Sequence, residues 1–320
     1  MSRLGFGCGA MLGRVGRKQA LRALAFAYDR GITHFDVARS YGFGEAESLL
    51  GQFLRDKREN VTVTTKFGVV PPRGSMLLSL SKTAARAVLS RLPGGRRLTR
   101  AAAHRMLAHR DYSPAYAQAC LETSLRQLKL DQIDYYLIHD PIASDISDEL
   151  LDFLDGARRA GKIARWGIAA DRPSVLTSPA GRRSEVLLYE ANLNVLDALP
   201  LAPPSDYRQR FLTRPFGGGG DAVIGMRNRP QVRSVLRELQ LDFLDDHTLA
   251  MCFSLSLAGT TGLVVTSMLH DNHLQFNLNA TEQYRSLGDR GRQLAPEILR
   301  AIHRNGQLRP HNDAEAESVA

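Results

Sequence analysis

Residues 33–66, THFDVARSYGFGEAESLLGQFLRDKRENVTVTTK, hold the pattern that decides the fold. A β-type run, Thr33–Val37, is followed by a helical pattern over Glu45–Arg55 and by a second β-type run, Val61–Lys66. Strand, helix, strand is the repeating unit of a parallel sheet. The same rhythm continues on both sides. Strands are predicted at Leu4–Cys8, Asp134–His139, Ile163–Ile168, Val186–Glu190, Gln209–Thr213 and Gly262–Thr266, which makes eight with the two quoted. Helical patterns lie at Lys18–Asp29, Pro114–Leu128, Asp148–Ala160, Gln231–Leu239, His247–Leu257 and Asn272–Asn279. Eight alternations without a second compositional block predict an α/β fold of the (β/α)8 or TIM-barrel type. One such barrel is expected over 1–306, with a polar tail over 307–320.

Composition agrees with an ordinary globular chain. The 320 residues are 43% hydrophobic and 23% charged, enough to bury a large core without staples. Cys8, Cys120 and Cys252 are odd in number and far apart, so neither a disulfide framework nor a metal cluster is expected. A reducing, cytoplasmic setting is the simplest expectation. The start of the chain is too glycine-rich and too soon basic for a signal peptide, and no apolar run has the length of a membrane span.

The net charge of +9 is local. Residues 71–110 contain Arg73, Lys82, Arg86, Arg91, Arg96, Arg97, Arg100, Arg105 and Arg110, and no acid. This basic insertion separates the third strand from its helix, and Met76–Leu92 within it has a helical pattern. It reads either as a solvated surface excursion or as a cationic lid that draws in an anionic substrate or an acidic carrier protein. Nucleic-acid recognition is not expected, because the aromatic residues and motifs for it are lacking. A second interruption, Gly217–Gly220, is either a plain flexible loop or a cover for a ligand's pyrophosphate.

Catalytic groups of a parallel barrel sit at the C-terminal ends of strands. Asp36 closes the second strand and Tyr41 follows it; Lys66 ends the third and His139 the fourth. Singly, these could be a helix cap, a rim aromatic, a solvated strand end and a core histidine. Together they predict one site. Hydride transfer to a carbonyl carbon builds negative charge on oxygen, which needs a proton and local donors. A phenol is a weak acid unless a cation favours its anion. Lys66 is placed to be that cation, with Asp36 holding it, His139 donating to the carbonyl oxygen and Tyr41 acting as general acid.

The segments GITHFDVARSYGFGEAE, TTKFG, LIHDP, GKIARWGI and VVTSMLHDNHLQFNL resemble those of the aldo-keto reductases, over about Leu4 to Leu278. The resemblance implies a (β/α)8 barrel that reduces a small-molecule carbonyl with extended NADP(H) or NAD(H), and a tetrad at Asp36, Tyr41, Lys66 and His139. It implies cofactor contacts at Gly9, Ala10, Met11, Ala169, Glu190, Thr213, Arg214, Phe216, Ser267, His273 and Asn277. Several positions depart from the family pattern. Ala169 and Ala170 replace the Ser-Asn pair that holds the nicotinamide carboxamide, and neither methyl can hydrogen-bond. Glu190 replaces a glutamine and Thr213 a ring-stacking tyrosine. Only His270 and His273 stand near Thr266–Ser267–Met268, where a cation for a 2′-phosphate is usual. The family's N-terminal hairpin is expected to be missing, since the first strand begins at Leu4. These losses keep a second reading open: a barrel of this family acting as a redox-neutral lyase or isomerase, or as a binding subunit.

Overall fold

The computed structural model describes residues 3–71, 109–196 and 209–304. The helical pattern at Met76–Leu92, nearly all of the basic insertion and the tail at 307–320 lie outside the described residues.

Eight strands follow one another around a closed barrel, β1 (Leu4–Gly7), β2 (His34–Asp36), β3 (Thr62–Phe67), β4 (Ile133–His139), β5 (Ile163–Ala169), β6 (Val186–Glu190), β7 (Gln209–Thr213) and β8 (Leu263–Thr266). The (β/α)8 expectation is met. The pairs β2–β3, β3–β4, β4–β5, β6–β7 and β7–β8 run parallel.

The contacts divide the chain into two compact units, Phe6–Ala169 with Ser267–Asp271, and Met1–Gly5 with Ala170–Thr266 and Asn272–Ala320. In the first unit lie α1 (Arg17–Tyr28), α2 (Ala46–Leu54), α3 (Pro114–Leu128) and α4 (Asp148–Arg159). β3 is a run of β-branched residues, suited to a strand whose side chains pack on both faces. Neighbours alternate: Thr65 donates to Glu47 of α2, which also accepts from Ser124 of α3, whereas Lys66 reaches Asp36. α3 starts where Ser113 accepts from the Tyr116 amide with Pro114 at the first position, and stops at the left-handed Lys129. α4 has Asp148 and Glu149 in its first turn, Arg158 and Arg159 in its last, and a buried stripe of Leu150, Leu151, Leu154 and Ala157. Trp166 is core, 2% exposed, and its indole donates to Asp155 at 2.8 Å.

The second unit holds the short helices α5 (Pro173–Leu176) and α6 (Pro179–Arg183), then α7 (Pro230–Glu238), α8 (Asp246–Ala258), α9 (Asp271–Ser286) and α10 (Asp289–Arg304); the first residue of α9 is assigned to the other unit. α8 is buried nearly all round, and Asp245 caps it through the His247 and Thr248 amides. One expectation needed revision here: the last patterned helix runs to Ser286, not Asn279; α10, which was not predicted, holds Gly291 and Pro296, residues that disfavour a helix interior. Burial of Leu294, Ala295, Ile298 and Ile302 on one face overrides that local preference. Among the described residues, no helix is long and apolar enough to cross a membrane.

Candidate active site

Three successive strand ends and one turn bring the four titratable groups together within the first unit. Asp36 is the last residue of β2, His139 the last of β4, and Lys66 stands one before the end of β3. Tyr41 opens the helical turn Tyr41–Gly44. The Lys66 ammonium donates to both oxygens of Asp36, at 2.6 and 2.7 Å, and to the Val37 carbonyl at 2.9 Å. The ammonium lies 5.1 Å from the centre of the Tyr41 ring, and that ring meets His139 edge-on at 5.9 Å. Asp36 and Lys66 are buried, 4% and 1% exposed, while Tyr41 and His139 are half-buried. A ligand can therefore reach the two rings but not the ion pair behind them.

The electrostatics follow from that placement. Burial alone would push Lys66 down, but Asp36 and the Tyr41 phenol outweigh it, and the ammonium titrates above its ordinary value. Burial pushes Asp36 up, with Lys66 pulling against it. Burial also raises Tyr41; Lys66 lowers it, and Asp36 adds to the rise. The cation therefore restrains the phenol's rise without reversing it, and the phenol keeps its proton at neutral pH. His139 is pushed down to about 3 by burial, then by Lys66 and Arg110, so its ring is neutral and has one N–H to give.

A clamp that the sequence did not disclose holds the His139 end of β4. The Tyr112 hydroxyl lies 2.9 Å from the carbonyls of both His139 and Asp140 and shares its one proton between them. Arg110 pairs with Asp140 at 2.5 Å, and Asp140 is held at a left-handed φ of 53°. Val69 and Arg110 form an antiparallel bridge, and the Val70 amide donates to His109 at 3.0 Å, so both ends of the basic insertion meet beside the strand ends bearing Lys66 and His139. Gly68, at φ 112°, is where Tyr112 crosses; a Cβ there would run into its ring. No local pattern announces such a clamp, since its parts are about 30 residues apart.

The residues expected at the cofactor distribute over both units. Gly9 faces the Tyr41 ring, where a Cβ would stand 3.6 Å away; Ala10 follows it, and Met11 is fully buried. Ala169 is the β5 residue opposite His139. Ser267 begins the last short segment of that unit. In the second unit Glu190 and Thr213 are paired at the ends of β6 and β7. Asn192 donates to Glu190 at 2.9 Å, Arg214 pairs with it at 2.5 Å, and Asp171 accepts from the Glu190 amide at 2.6 Å. Arg214 lies at a φ of 51°. Phe216 joins a cluster with His247 and Phe276, whose ring centres lie 6.0–6.3 Å apart. Asn277 is buried and His273 sits on α9. Asp171, Asn192, His247 and Phe276 were not anticipated; of these only Asp171, directly after Ala169–Ala170 at a strand end, stood where a site residue is looked for.

Residues 3–202 match the model of the aldo/keto reductase family, and the chain belongs to that family. A probable aldo-keto reductase of Glycine max is 26% identical over 181 residues, covering 55% of this chain and 43% of its own length. The chain spans about half the length of the curated relatives it matches. An aldo-keto reductase of Bacillus halodurans in its holo form superposes with a TM-score of 0.64 at 20% identity, over 94% of this chain and 92% of its own. One from Klebsiella pneumoniae in complex with NADPH does so with a TM-score of 0.59 at 19% identity, over 91% of this chain and 92% of its own.

Proposed function

We propose that the chain reduces the carbonyl of a small aldehyde or ketone, or oxidises the matching alcohol, with NADP(H) or NAD(H) and with Tyr41 as general acid. The observation that carries this reading is the enclosed Lys66–Asp36 pair standing behind the Tyr41 and His139 rings. Family membership and the NADPH held by the Klebsiella relative support the cofactor class.

The donor set accommodates a nicotinamide nucleotide. Each Glu190 carboxylate oxygen accepts one hydrogen bond, from Asn192 and from Arg214, and keeps a second lone pair for an amide N–H₂. Arg214, with 59% of its side chain exposed, and the glycine run after Phe216 suit a phosphate-bearing ligand. We assign the residues that the resemblance implies there, Gly9, Ala10, Met11, Ala169, Glu190, Thr213, Arg214, Phe216, Ser267, His273 and Asn277, to holding it. When bound, the reduced ring supplies a hydride. The protein's own part is the proton. Neutral His139 donates its N–H to the carbonyl oxygen and orients it. As charge builds there, Tyr41 gives up its proton, because an alkoxide is a far stronger base than a phenolate. Lys66 stabilises the phenolate left behind, and Asp36 keeps the ammonium in place.

One observation favours the second reading, a barrel of this family without redox turnover. Both carboxylate oxygens of Glu190 are engaged, one by Asn192 and one by Arg214, and Ala169 and Ala170 add no donor. Titration with NADPH and NADH, followed by protein fluorescence, separates the two readings. The redox reading expects quenching by at least one nucleotide and, in Tyr41→Phe, retained binding with turnover lost by about 10²-fold or more. Failure of both nucleotides to bind at millimolar concentration leaves the second reading standing. We further assign the protein to the cytoplasm, on its three unpaired, buried cysteines. The basic run favours an anionic substrate or an acidic partner, for which KM rises with ionic strength.

A further inference from the structure

Glu47 is an enclosed carboxylate, 1% exposed, that the proton chemistry above does not use. One of its oxygens accepts from the Thr65 hydroxyl at 2.6 Å and from the Ser124 hydroxyl at 2.7 Å. The other pairs with Arg39, whose guanidinium also donates to Gln127 at 2.9 Å. A buried carboxylate is tolerated when its charge is matched and its lone pairs are filled, and both conditions hold here.

The identity of the donors is informative. Thr65 immediately precedes Lys66, and Arg39 stands two residues before Tyr41. Neighbours on a strand point to opposite faces, so a grip on Thr65 fixes the backbone from which Lys66 reaches Asp36. The grip on Arg39 closes the stretch between Asp36 and α2. Within that stretch the Tyr41 turn passes through left-handed backbone at Gly42 and Phe43, with φ of 56° and 59°. For a phenylalanine this conformation persists only where its surroundings dictate it. The Arg39 amide adds a bond to the Lys66 carbonyl at 3.1 Å. One carboxylate thus holds the two backbone segments that carry the phenol and the ammonium.

We infer that Glu47 is a positioning residue for the proton transfer, its carboxylate setting the spacing between the Tyr41 phenol and the Lys66 ammonium by holding Arg39 and Thr65 at once. The inference rests on the reading of Tyr41 as proton donor. The attraction of Lys66 for the phenolate falls with distance, so loosening either segment weakens the phenol as an acid.

The test uses the full chain, Glu47→Gln, and Tyr41→Phe as reference, well below their melting temperatures. Subtracting the tyrosinate absorbance titration of Tyr41→Phe isolates Tyr41 among the nine tyrosines. Glu47→Gln is expected to move that titration upward and to lower carbonyl-reduction turnover about ten- to a hundredfold, with NADPH affinity within about twofold. A lowered Tm with Tyr41 titration and turnover unchanged overturns the inference and leaves Glu47 as packing. If Glu47→Gln does not fold, Thr65→Val removes one donor and keeps the charge. The same upward shift then supports the inference, and its absence overturns it. Turnover that survives in Tyr41→Phe sinks the proton-donor reading, whatever Glu47→Gln does to the titration.

Discussion

Lys66 and Asp36 are buried as opposite charges, so neither can be removed alone without cost. Lys66→Met leaves a carboxylate in a site that is 4% exposed, and a stability loss of about 3–5 kcal/mol in denaturant unfolding is expected. The double variant Asp36→Asn, Lys66→Met is expected to recover most of it while staying inactive; a double variant no more stable than the single would contradict this account. His34, 2% exposed and hydrogen-bonded to Thr62 at 2.9 Å and Thr64 at 3.2 Å, is held down to about 3 by burial and by Lys66. The unfolded chain takes up its proton near the ordinary value, whereas the folded one does not until about 3. The contribution is therefore complete above about pH 6.5 and is lost as the pH falls, by up to ~1.4 kcal/mol per unit. His34→Gln is expected to flatten the fall in Tm between about pH 6 and pH 4; an unchanged slope would assign acid sensitivity to other groups. At this scale the sequence was legible wherever a chemically distinctive residue stood at or next to the end of a strand, as Asp36, Lys66 and His139 do. Glu47 was not singled out, because a carboxylate in the first turn of a helix reads as an ordinary favourable charge, and its partners Thr65, Ser124 and Arg39 meet only in the fold.

Elements settle against each other through backbone as well as side chains. Gly51 sits in the middle of α2, where a Cβ would run into the Gln127 carbonyl and the backbone of Leu128 at the end of α3. In an isolated helix Gly→Ala stabilises. Here it forces the helices apart, and Gly51→Ala is expected to cost about 1–3 kcal/mol and to lower turnover by loosening the Glu47 contacts to Ser124 and Arg39. A neutral or stabilising outcome in calorimetry would show that α2 can move outward freely. The strands were readable to within a residue or two at each end, because β-branched runs and parallel pairing agree. The C-terminal helices were less so. α10 places Gly291 and Pro296 inside a helix whose apolar stripe, Leu294, Ala295, Ile298 and Ile302, finds its reward only in tertiary packing. The clamp of Tyr112 on the end of β4 escaped notice for the same reason: a lone tyrosine gives no hint of the two carbonyls it will find.

At the scale of the whole molecule, the choice of nucleotide depends on residues far apart in the chain. A 2′-phosphate calls for a fixed cation; the basic side chains within Thr266–His273 itself are His270 and His273, and Arg22, which reaches this stretch, is paired with Asp271 at 3.1 Å. NADH and NADPH are therefore expected to compete on similar terms above neutral pH. A preference for NADPH beyond about a hundredfold in competition binding at alkaline pH would locate the cation elsewhere. The antiparallel bridge between Val69 and Arg110 has a consequence of another kind. An excursion whose two ends are hydrogen-bonded neighbours is a cassette: lengthening it costs only ~0.6 kcal/mol per doubling, and exchanging it leaves the path of the remaining chain unaltered. Because its described ends meet beside the strand ends that carry Lys66 and His139, a change in the sequence or length of this cassette is expected to leave the Lys66–Asp36 pair where it stands.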